Sequence, residues 1–377
     1  MLASVLLDEC RKAGIDFFTG VPDSFLKGLC DELFGRFGTD GPQHIVAHNE
    51  GGAIGLCAGH YLATGRPALC YMQNSGLGNT VNPLTSLMDP QVYAIPCLLI
   101  IGWRGEPGVK DEPQHIKQGA VTLSQLDLLG IPYEVLSAGT SEEDFRAAFT
   151  RLADVLRLGQ PAAFVIRKGA LSSGLHPAYG NDASITREAA AELVLQAAAK
   201  NDCFVSTTGK LSREVFELRE KLGEDHRRDF LTVGSMGHAS MIALGIAEAK
   251  PDRRVWCLDG DGALMMHLGA LPLIGRRSPE NLVHVVIDNG SHETVGGMPV
   301  CSGALHITAF AEAAGYKEIL QADSEASLRE ALHKTVSLSG PLLLVIRCAC
   351  GARSDLGRPT ISPVRNRDAF MEFLKDG

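Results

Sequence analysis

The sequence lacks the features that would place the protein in a membrane or on nucleic acid. No apolar run approaches the ~20 residues of a membrane-spanning helix, so the chain is not expected to enter a bilayer. The first ten residues contain Asp8 and Glu9 but no Lys or Arg, whereas a secretory signal begins with basic residues. A formal net charge of -9 argues against a nucleic-acid partner. We therefore expect a cytoplasmic protein.

Two signatures of other protein classes are also missing. The ten cysteines are scattered, and Cys348 and Cys350 have neither the spacing nor the neighbouring ligands of a structural metal site. Cys70, Cys97 and Cys257 stand in apolar segments, where a reduced cysteine acts as a small hydrophobic residue. No G-x-G-x-x-G motif follows a first strand with an acidic residue beyond it. This absence argues against a plain dinucleotide-binding protein.

The pattern of apolar segments indicates two domains, since 377 residues exceed what one hydrophobic core usually organises. Apolar runs alternate with helical patterns, which favours parallel sheets covered on both faces. The predicted strands span 16–21, 44–48, 67–73, 97–102 and 161–167, and then 203–207, 229–233, 254–259, 282–288 and 341–347. The sequence therefore predicts an α/β fold with two doubly wound parallel-sheet domains, 1–168 and 185–377, joined by a Gly-, Ser- and Pro-bearing linker at 169–184, without a middle domain.

A glycine-rich turn follows a predicted strand in the second domain. The strand at 255–258 runs into Gly260-Asp261-Gly262-Ala263, and a helix is predicted from 264 to 274. A strand, a glycine-rich turn and a helix N-terminus together favour anion binding, because backbone N–H groups and the helix dipole attract phosphate oxygens. Asp261 can hold a hard divalent cation such as Mg²⁺, which prefers oxygen ligands. Taken alone, the turn is also an ordinary strand-to-helix connection.

The next strand ends at a second set of oxygen ligands. Asn289 and the backbone carbonyl of Ser291 follow that strand and can complete a Mg²⁺ site with Asp261. A Gly-Asp-Gly followed after a helix and a strand by an Asn resembles the bipartite signature of thiamine diphosphate-dependent enzymes. The family often has Asn-Asn where this chain has Asp288-Asn289. The resemblance implies that the cofactor's diphosphate is held by Gly260, Asp261, Gly262, Ala263 and Asn289.

The resemblance assigns roles to two further segments of this domain. In the family, the segment that corresponds to 234–237 supplies a backbone carbonyl that contacts the cofactor's aminopyrimidine. It also supplies a bulky apolar side chain that lies beneath the cofactor, and Met236 matches this second role, next to Gly234. A Met that opens an amphipathic helix can instead belong to the core. Thr207, Thr208 and Gly209 follow the first strand of the domain. They can contact the diphosphate or simply cap the next helix.

The first domain offers the acid that the family uses to activate the cofactor. The run from Glu50 to Asn79 resembles the family's pyrimidine-binding domain, and Glu50 matches the carboxylate that protonates the pyrimidine ring. Small neighbours would leave this carboxyl largely desolvated. The alternative is that Glu50 only favours the dipole of the helix that it begins. The resemblance makes 1–168 the pyrimidine-binding (PYR) domain and 185–377 the diphosphate-binding (PP) domain. In the family the two types meet across a subunit interface, which implies a homo-oligomer.

The short linker and two segments narrow the expected substrate. The segments 20–24 and 111–115 resemble those of two-domain decarboxylases whose 2-oxo acid substrates carry a phosphonate or a sulfonate. The resemblance implies Mg²⁺-dependent decarboxylation of 3-phosphonopyruvate, with sulfopyruvate as the alternative substrate. A carboligase and a non-catalytic cofactor-binding module are weaker alternatives, because the former typically has a middle domain and the latter would not need Glu50.

Cationic side chains after the fourth strand support an anionic substrate. Arg104, Lys110, His115 and Lys117 stand in a segment with Gly and Pro, which predicts a ligand-binding loop at a strand end. A carboxylate and a dianionic phosphonate need compensating cations. His115 can also contact the carboxylate or relay a proton. By its position in the family, Asp23 is expected to face the bound intermediate and exchange protons with it. His292, just after the predicted metal loop, is a second candidate for the role given to His115.

Overall fold

The computed structural model describes residues 1–375, with the backbone alone at positions 40, 302 and 304. The chain divides into two compact units, Met1–Ala178 and Tyr179–Gly377. This division lies within the segment 169–184 that was predicted as a linker. Within residues 1–375, no helix combines the length and the apolar character that a membrane span needs.

Unit 1 is built on a seven-stranded sheet with helices interleaved along the chain. The strand order is β2-β3-β1-β4-β5-β7-β6, and all neighbours are parallel except β2 and β3. The strands are β1 (Phe18–Gly20), β2 (Asp40–Gly41), β3 (His44–Val46), β4 (Ala68–Gln73), β5 (Cys97–Gly102), β6 (Tyr133–Leu136) and β7 (Ala162–Ile166). The helices are α1 (Ala3–Lys12), α2 (Lys27–Phe37), α3 (Glu50–Thr64), α4 (Leu77–Pro83), α5 (Pro113–Leu128) and α6 (Glu142–Arg157).

Unit 2 repeats this architecture with a six-stranded parallel sheet of order β14-β15-β11-β10-β8-β9. A short antiparallel hairpin, β12 with β13, follows β11. The strands are β8 (Cys203–Ser206), β9 (Asp229–Leu231), β10 (Val255–Gly260), β11 (Leu282–Asp288), β12 (Ser291–His292), β13 (Met298–Pro299), β14 (Glu318–Ala322) and β15 (Leu342–Arg347). The helices are α7 (Arg187–Ala197), α8 (Lys210–Leu222), α9 (Ala239–Ala249), α10 (Asp261–Met266), α11 (Ala270–Arg277), α12 (Ile307–Ala313), α13 (Glu325–Thr335) and α14 (Pro363–Phe373).

The predicted α/β fold with two parallel sheets is confirmed. The central strands are apolar on both faces, as β5 illustrates with all six residues buried, because helices cover a parallel sheet on both sides. In each unit the strand order reverses beside the first strand: the following strands are added first on one side of β1 or β8 and then on its other side. Loops at the carboxyl ends of strands beside such a reversal form the usual ligand crevice of open α/β sheets. Most of the predicted site residues lie in the segments that follow the carboxyl ends of strands or in the first residues of the helices that come next.

Two edge strands were missed by the sequence pattern. β6 and β14 lie at sheet edges, and most of their residues are only half-buried. Their polar residues, such as Glu134 and Gln321, interrupt the apolar run that marks a central strand. An edge strand has one strand neighbour and less to bury, so its sequence signal is weak.

The prediction of one continuous helix from 264 to 274 was wrong. The chain forms α10 and α11 with a break at 267–269. Pro272 is the third residue of α11, where its missing N–H has no intrahelical acceptor to lose. Within an unbroken helix the same proline would remove a hydrogen bond and clash with the preceding turn, so the helix restarts just before it.

Candidate active site

The Gly-Asp-Gly turn and the loop after β11 are joined by a direct contact in unit 2. Gly260 ends β10 and Asp261 begins α10. The Asp261 carboxylate accepts a hydrogen bond from Gly290 N, with an Oδ2 to N distance of 3.0 Å. The side chains of Asp261 and Asn289 are both buried. Parallel pairing of β10 with β11 brings their carboxyl ends to one edge of the sheet, which explains why residues 29 positions apart meet.

The side chains at this edge have the chemistry that a hard cation needs. Asp261 offers a carboxylate, and Asn289 offers an amide oxygen that accepts a hydrogen bond from Ser291 N at 3.1 Å. Mg²⁺ is typically held by one or two protein oxygens together with phosphate oxygens and water. The donor set therefore fits the predicted metal.

A second buried polar group lies beneath the turn and has a structural explanation. Cys257, Asp259 and His284 place their polar atoms within 4.8 Å of one another. His284 contacts Asp259 Oδ2 at 3.4 Å and the Tyr316 hydroxyl at 2.9 Å. The other Asp259 oxygen accepts from Gly260 N at 2.9 Å. These contacts satisfy His284 and Asp259 internally and tie them to the first residue of the Gly-Asp-Gly turn.

The start of α8 provides backbone donors near the end of β8. Gly209 is the N-cap residue, with a φ of 96° that favours glycine, and no side chain caps the helix there. The alternative prediction, that the side chain of Thr207 or Thr208 caps this helix, is therefore wrong. An uncapped first turn leaves backbone N–H groups for another acceptor.

Met236 lies beside the Gly-Asp-Gly turn, on a tightly bent segment. Ser235 and Gly237 flank it in left-handed conformations, with φ of 55° and 89°. A methyl group added at Gly262 would lie 3.6 Å from the Met236 Cε. Met236 is only half-buried, whereas a core residue would be enclosed. Gly234 immediately precedes this bend.

Glu50 begins α3 and is buried in unit 1, at 5% exposure. Its Oε2 accepts a hydrogen bond from Asn79 Nδ2 at 2.7 Å. A Cβ added at Gly76 would lie 2.5 Å from the Glu50 Cγ, so glycine is required at 76 for Glu50 to reach this position. A carboxylate that only complemented the helix dipole would need neither a buried position nor a fixed amide partner.

Asp23 is buried at the end of β1 and is held by two donors. Gln73 Nε2 donates to its Oδ1 at 2.6 Å, and Phe25 N donates to its Oδ2 at 2.9 Å. A side chain at Gly102 would overlap Asp23 Oδ2. Burial raises the pKa of the Asp23 carboxyl, although these hydrogen bonds and the nearby Arg104 oppose the rise. A carboxyl with a raised pKa is suited to exchanging a proton during a reaction.

Arg104 follows β5 and forms a bidentate ion pair with Asp111. The distances are 2.8 Å from Nε to Oδ2 and 2.5 Å from Nη2 to Oδ1. The third nitrogen, Nη1, donates to Ser24 Oγ at 3.2 Å, and the guanidinium lies over the Phe25 ring at 4.8 Å. The positive charge of Arg104 is therefore already paired with the negative charge of Asp111. Less of it is available to bind an anionic substrate than the sequence suggested.

The four predicted cations do not share one loop. α5 begins at Pro113, so His115 and Lys117 are its third and fifth residues, and the prediction of a loop there was wrong. Proline is favoured at the first position of a helix, where its missing N–H is not needed. Lys110 and Lys117 are exposed, whereas His115 is 8% exposed. Burial, with help from the charge of Arg104, lowers the pKa of His115 to about 4, so His115 is neutral near pH 7.

This lowered pKa predicts a pH-dependent stability of unit 1. Between pH ~6.5, the ordinary histidine pKa, and the folded value of about 4, the unfolded chain binds a proton that the folded chain does not. The free energy of unfolding therefore falls as the pH drops through this window. We expect His115→Gln to show a shallower fall, measured as urea midpoints at stepped pH. The exposed His176→Gln is the control, and equal slopes for wild type and His115→Gln would contradict the assignment.

Several residues at these sites had no role in the sequence analysis. Gln73, Asn79 and Asp111 each hold one predicted residue. Asn74 supports the same loop, because its Nδ2 donates to Arg104 O at 2.8 Å. Gln73, Asn79 and Asp111 lie in segments that carried the family resemblance. The available signal was their polarity at the end of a predicted strand, for Gln73, or in the segment that follows one, for Asn79 and Asp111.

Comparison with known proteins matches both units. Residues 1–127 match the thiamine pyrophosphate enzyme N-terminal TPP-binding domain, and residues 208–346 match the C-terminal TPP-binding domain; thiamine pyrophosphate is thiamine diphosphate. The chain is 35% identical to phosphonopyruvate decarboxylase of Streptomyces viridochromogenes, over 96% of this chain and 92% of that one. It is 34% identical to phosphonopyruvate decarboxylase of Streptomyces hygroscopicus, over 99% and 94%.

A third relative is named for a different substrate, sulfopyruvate instead of phosphonopyruvate. Sulfopyruvate decarboxylase of Methanosarcina acetivorans is 28% identical over 87% of this chain and 86% of that one. All three relatives extend across both units. The chain therefore belongs to the thiamine diphosphate-dependent decarboxylases of 2-oxo acids, a family of carbon–carbon lyases, and is related within it to the phosphonopyruvate decarboxylases.

Proposed function

We propose that the protein decarboxylates 3-phosphonopyruvate to phosphonoacetaldehyde and CO₂, with thiamine diphosphate and Mg²⁺, as a step of phosphonate biosynthesis. The observation that carries this proposal is the 34% to 35% identity to phosphonopyruvate decarboxylases along nearly the whole chain. The buried acids of the two units, Glu50 and Asp261, support it. We further propose a homo-oligomer in which units of different subunits form each active site.

The residues of unit 2 would hold the cofactor and its metal. Asp261, Asn289 and the Ser291 carbonyl would bind Mg²⁺, because all three offer oxygen atoms. Met236 would support the pyrimidine side of the cofactor. When bound, thiamine diphosphate supplies a nucleophilic carbon and takes up the electron pair that is released as CO₂ leaves. Diphosphate and pyrimidine contacts are proposed for Thr208, Gly209, Gly234, Gly260, Gly262 and Ala263.

The residues of unit 1 would handle protons. Glu50, fixed by Asn79, would hold the proton shared with the cofactor's pyrimidine nitrogen. Asp23, whose pKa is raised by burial, would exchange a proton with the reacting carbon or oxygen. His115 would act as a neutral hydrogen-bond donor to the substrate, since its pKa is about 4. Each role requires a fixed proton position and little water, and the burial of all three side chains suits both.

The anionic groups of the substrate would be bound by the cations after β5. Arg104 would contact the phosphonate through donors that reorient from Ser24, with Asp111 keeping the guanidinium plane fixed. Lys110 and Lys117 are exposed and would add attraction at longer range. The charge of Asp111 neutralises that of Arg104, and His115 is neutral. Less positive charge is therefore left to balance a dianionic phosphonate. This observation keeps sulfopyruvate, which carries one charge fewer, as the second candidate substrate.

A comparison of three substrates tests the proposal. We expect 3-phosphonopyruvate to give the highest kcat/KM, sulfopyruvate a lower value, and pyruvate a value about 100-fold lower, since one lost charge-assisted hydrogen bond corresponds to ~1.5–3 kcal/mol. The measurement is CO₂ release from purified protein with thiamine diphosphate and Mg²⁺. A preference for sulfopyruvate would replace the first candidate by the second. Comparable values for pyruvate would contradict an anion-binding pocket altogether.

A further inference from the structure

Glu293 lies in the hairpin loop that follows the proposed metal ligands of unit 2. One carboxylate oxygen, Oε2, faces three donors. They are Gly351 N at 2.7 Å, Asn289 Nδ2 at 3.0 Å and Arg187 Nη1 at 3.4 Å. The other oxygen, Oε1, is 4.0 Å from Lys210 Nζ. The Glu293 side chain is 12% exposed, so this carboxylate is largely enclosed by polar partners.

A buried ion pair holds Arg187 in front of Glu293. Arg187 donates to both oxygens of Glu214, at 2.7 Å from Nε and 2.6 Å from Nη2. The side chains of this pair are 7% and 1% exposed. With Lys210, the group contains two positive and two negative side chains, so its charges balance. A charge at such depth is retained only when it is paired and hydrogen-bonded, and the pairing keeps Glu293 directed at Asn289.

We propose that Glu293 is a positioning residue that sets the orientation of the metal ligand Asn289. A carboxylate only accepts hydrogen bonds, so the amide atom of Asn289 that faces it must be the NH₂ group. The amide oxygen is thereby kept on the other side of the group, where it accepts from Ser291 N and is available to a hard cation. Without Glu293 the amide can turn over and present NH₂, which cannot bind a cation. The inference rests on the proposed metal site.

The alternative is that Glu293 only fastens the hairpin loop to Arg187 and Gly351. That role would lower the stability of the protein without metal and would leave metal affinity unchanged. If Glu293 instead positions Asn289, its loss should weaken metal binding, and turnover should be largely restored when the metal is saturating. Metal affinity and kcat at saturating metal therefore separate the two.

The experiment measures Mn²⁺ binding in the presence of thiamine diphosphate, from the electron paramagnetic resonance signal of the free ion. Four proteins are compared: wild type, Glu293→Ala, which removes the acceptor of the Asn289 NH₂ group, Asp261→Ala, and Glu312→Ala, whose glutamate is exposed on α12. Loss of a group that orients a metal ligand typically weakens metal affinity about 10- to 100-fold. We expect that loss for Glu293→Ala, a larger loss for Asp261→Ala and no change for Glu312→Ala.

The outcomes separate this inference from the proposed function. If Asp261→Ala loses Mn²⁺ binding while Glu293→Ala binds within about twofold of wild type, well short of the expected loss, the role of Glu293 is wrong and the metal site stands. If Asp261→Ala also binds normally, the metal site itself is wrong. Should Glu293→Ala not fold, Glu293→Asp keeps the charge but shortens the reach to Asn289. Weakened Mn²⁺ binding by that variant supports positioning, and unchanged binding overturns it.

Discussion

Replacing Glu50 by Gln is expected to lower turnover by about 10²- to 10⁴-fold, the usual contribution of a positioned acid or base. The amide keeps the size of the side chain and can still contact Asn79, but it cannot share a proton with the cofactor. Affinity for thiamine diphosphate should change little, because the proposed diphosphate and metal contacts lie in unit 2. Single-turnover decarboxylation and cofactor titration by fluorescence measure the two quantities.

Glu142 supplies the matched control for this substitution. It is also the first residue of a helix, α6, but its side chain is 56% exposed. Glu50→Gln and Glu142→Gln both remove a negative charge from a helix N-terminus, a change of about 0.3–1 kcal/mol. If Glu50 served only the helix dipole, both variants would lose similar stability and keep their turnover. Near-normal turnover of Glu50→Gln would remove Glu50 from the proposed mechanism.

Replacing Asp261 by Ala is expected to abolish binding of thiamine diphosphate that depends on Mg²⁺. The substitution removes the carboxylate among the proposed ligands and also one of the two acceptors of the Gly290 N–H. Ligand binding at 100 times Kd stabilises a protein by ~2.7 kcal/mol, so wild type should show a clear rise in Tm when both ligands are added. Asp261→Ala should show none under the same conditions.

The control for the metal site is Asp252→Ala, which removes an exposed aspartate ahead of β10. It should retain the rise in Tm on addition of thiamine diphosphate and Mg²⁺. Differential scanning fluorimetry with each ligand alone and with both together makes the comparison. A full rise in Tm for Asp261→Ala would contradict the assignment of Asp261 to the metal.

The central part of each sheet was predictable because parallel strands covered on both faces are continuous apolar runs. β5 and β11 have the predicted bounds of 97–102 and 282–288. The edge strands β6 and β14 were not predictable in the same way, because most of their residues are only half-buried. α5 could have been predicted from Pro113, which is a start signal for a helix as well as a feature of loops.

The pairing of polar side chains within the site was beyond the sequence pattern. Nothing in the spacing of Arg104 and Asp111 distinguishes a salt bridge across a loop from two solvated charges. Only the fold brings them together and makes Asp111 the partner that offsets Arg104. The same holds for Glu293, whose partner Arg187 lies 106 residues earlier in the chain. Residue types at strand ends identify candidates, and tertiary packing decides which of them are already engaged.

The most direct test of the account is to follow 3-phosphonopyruvate by ³¹P nuclear magnetic resonance after adding the cofactor-free protein. Without thiamine diphosphate, or without Mg²⁺, the substrate signal should persist at its background rate. With both present, it should be replaced by the signal of phosphonoacetaldehyde as an equivalent amount of CO₂ is released. Persistence of the substrate signal with both cofactors, or conversion that proceeds equally well without them, would contradict the account.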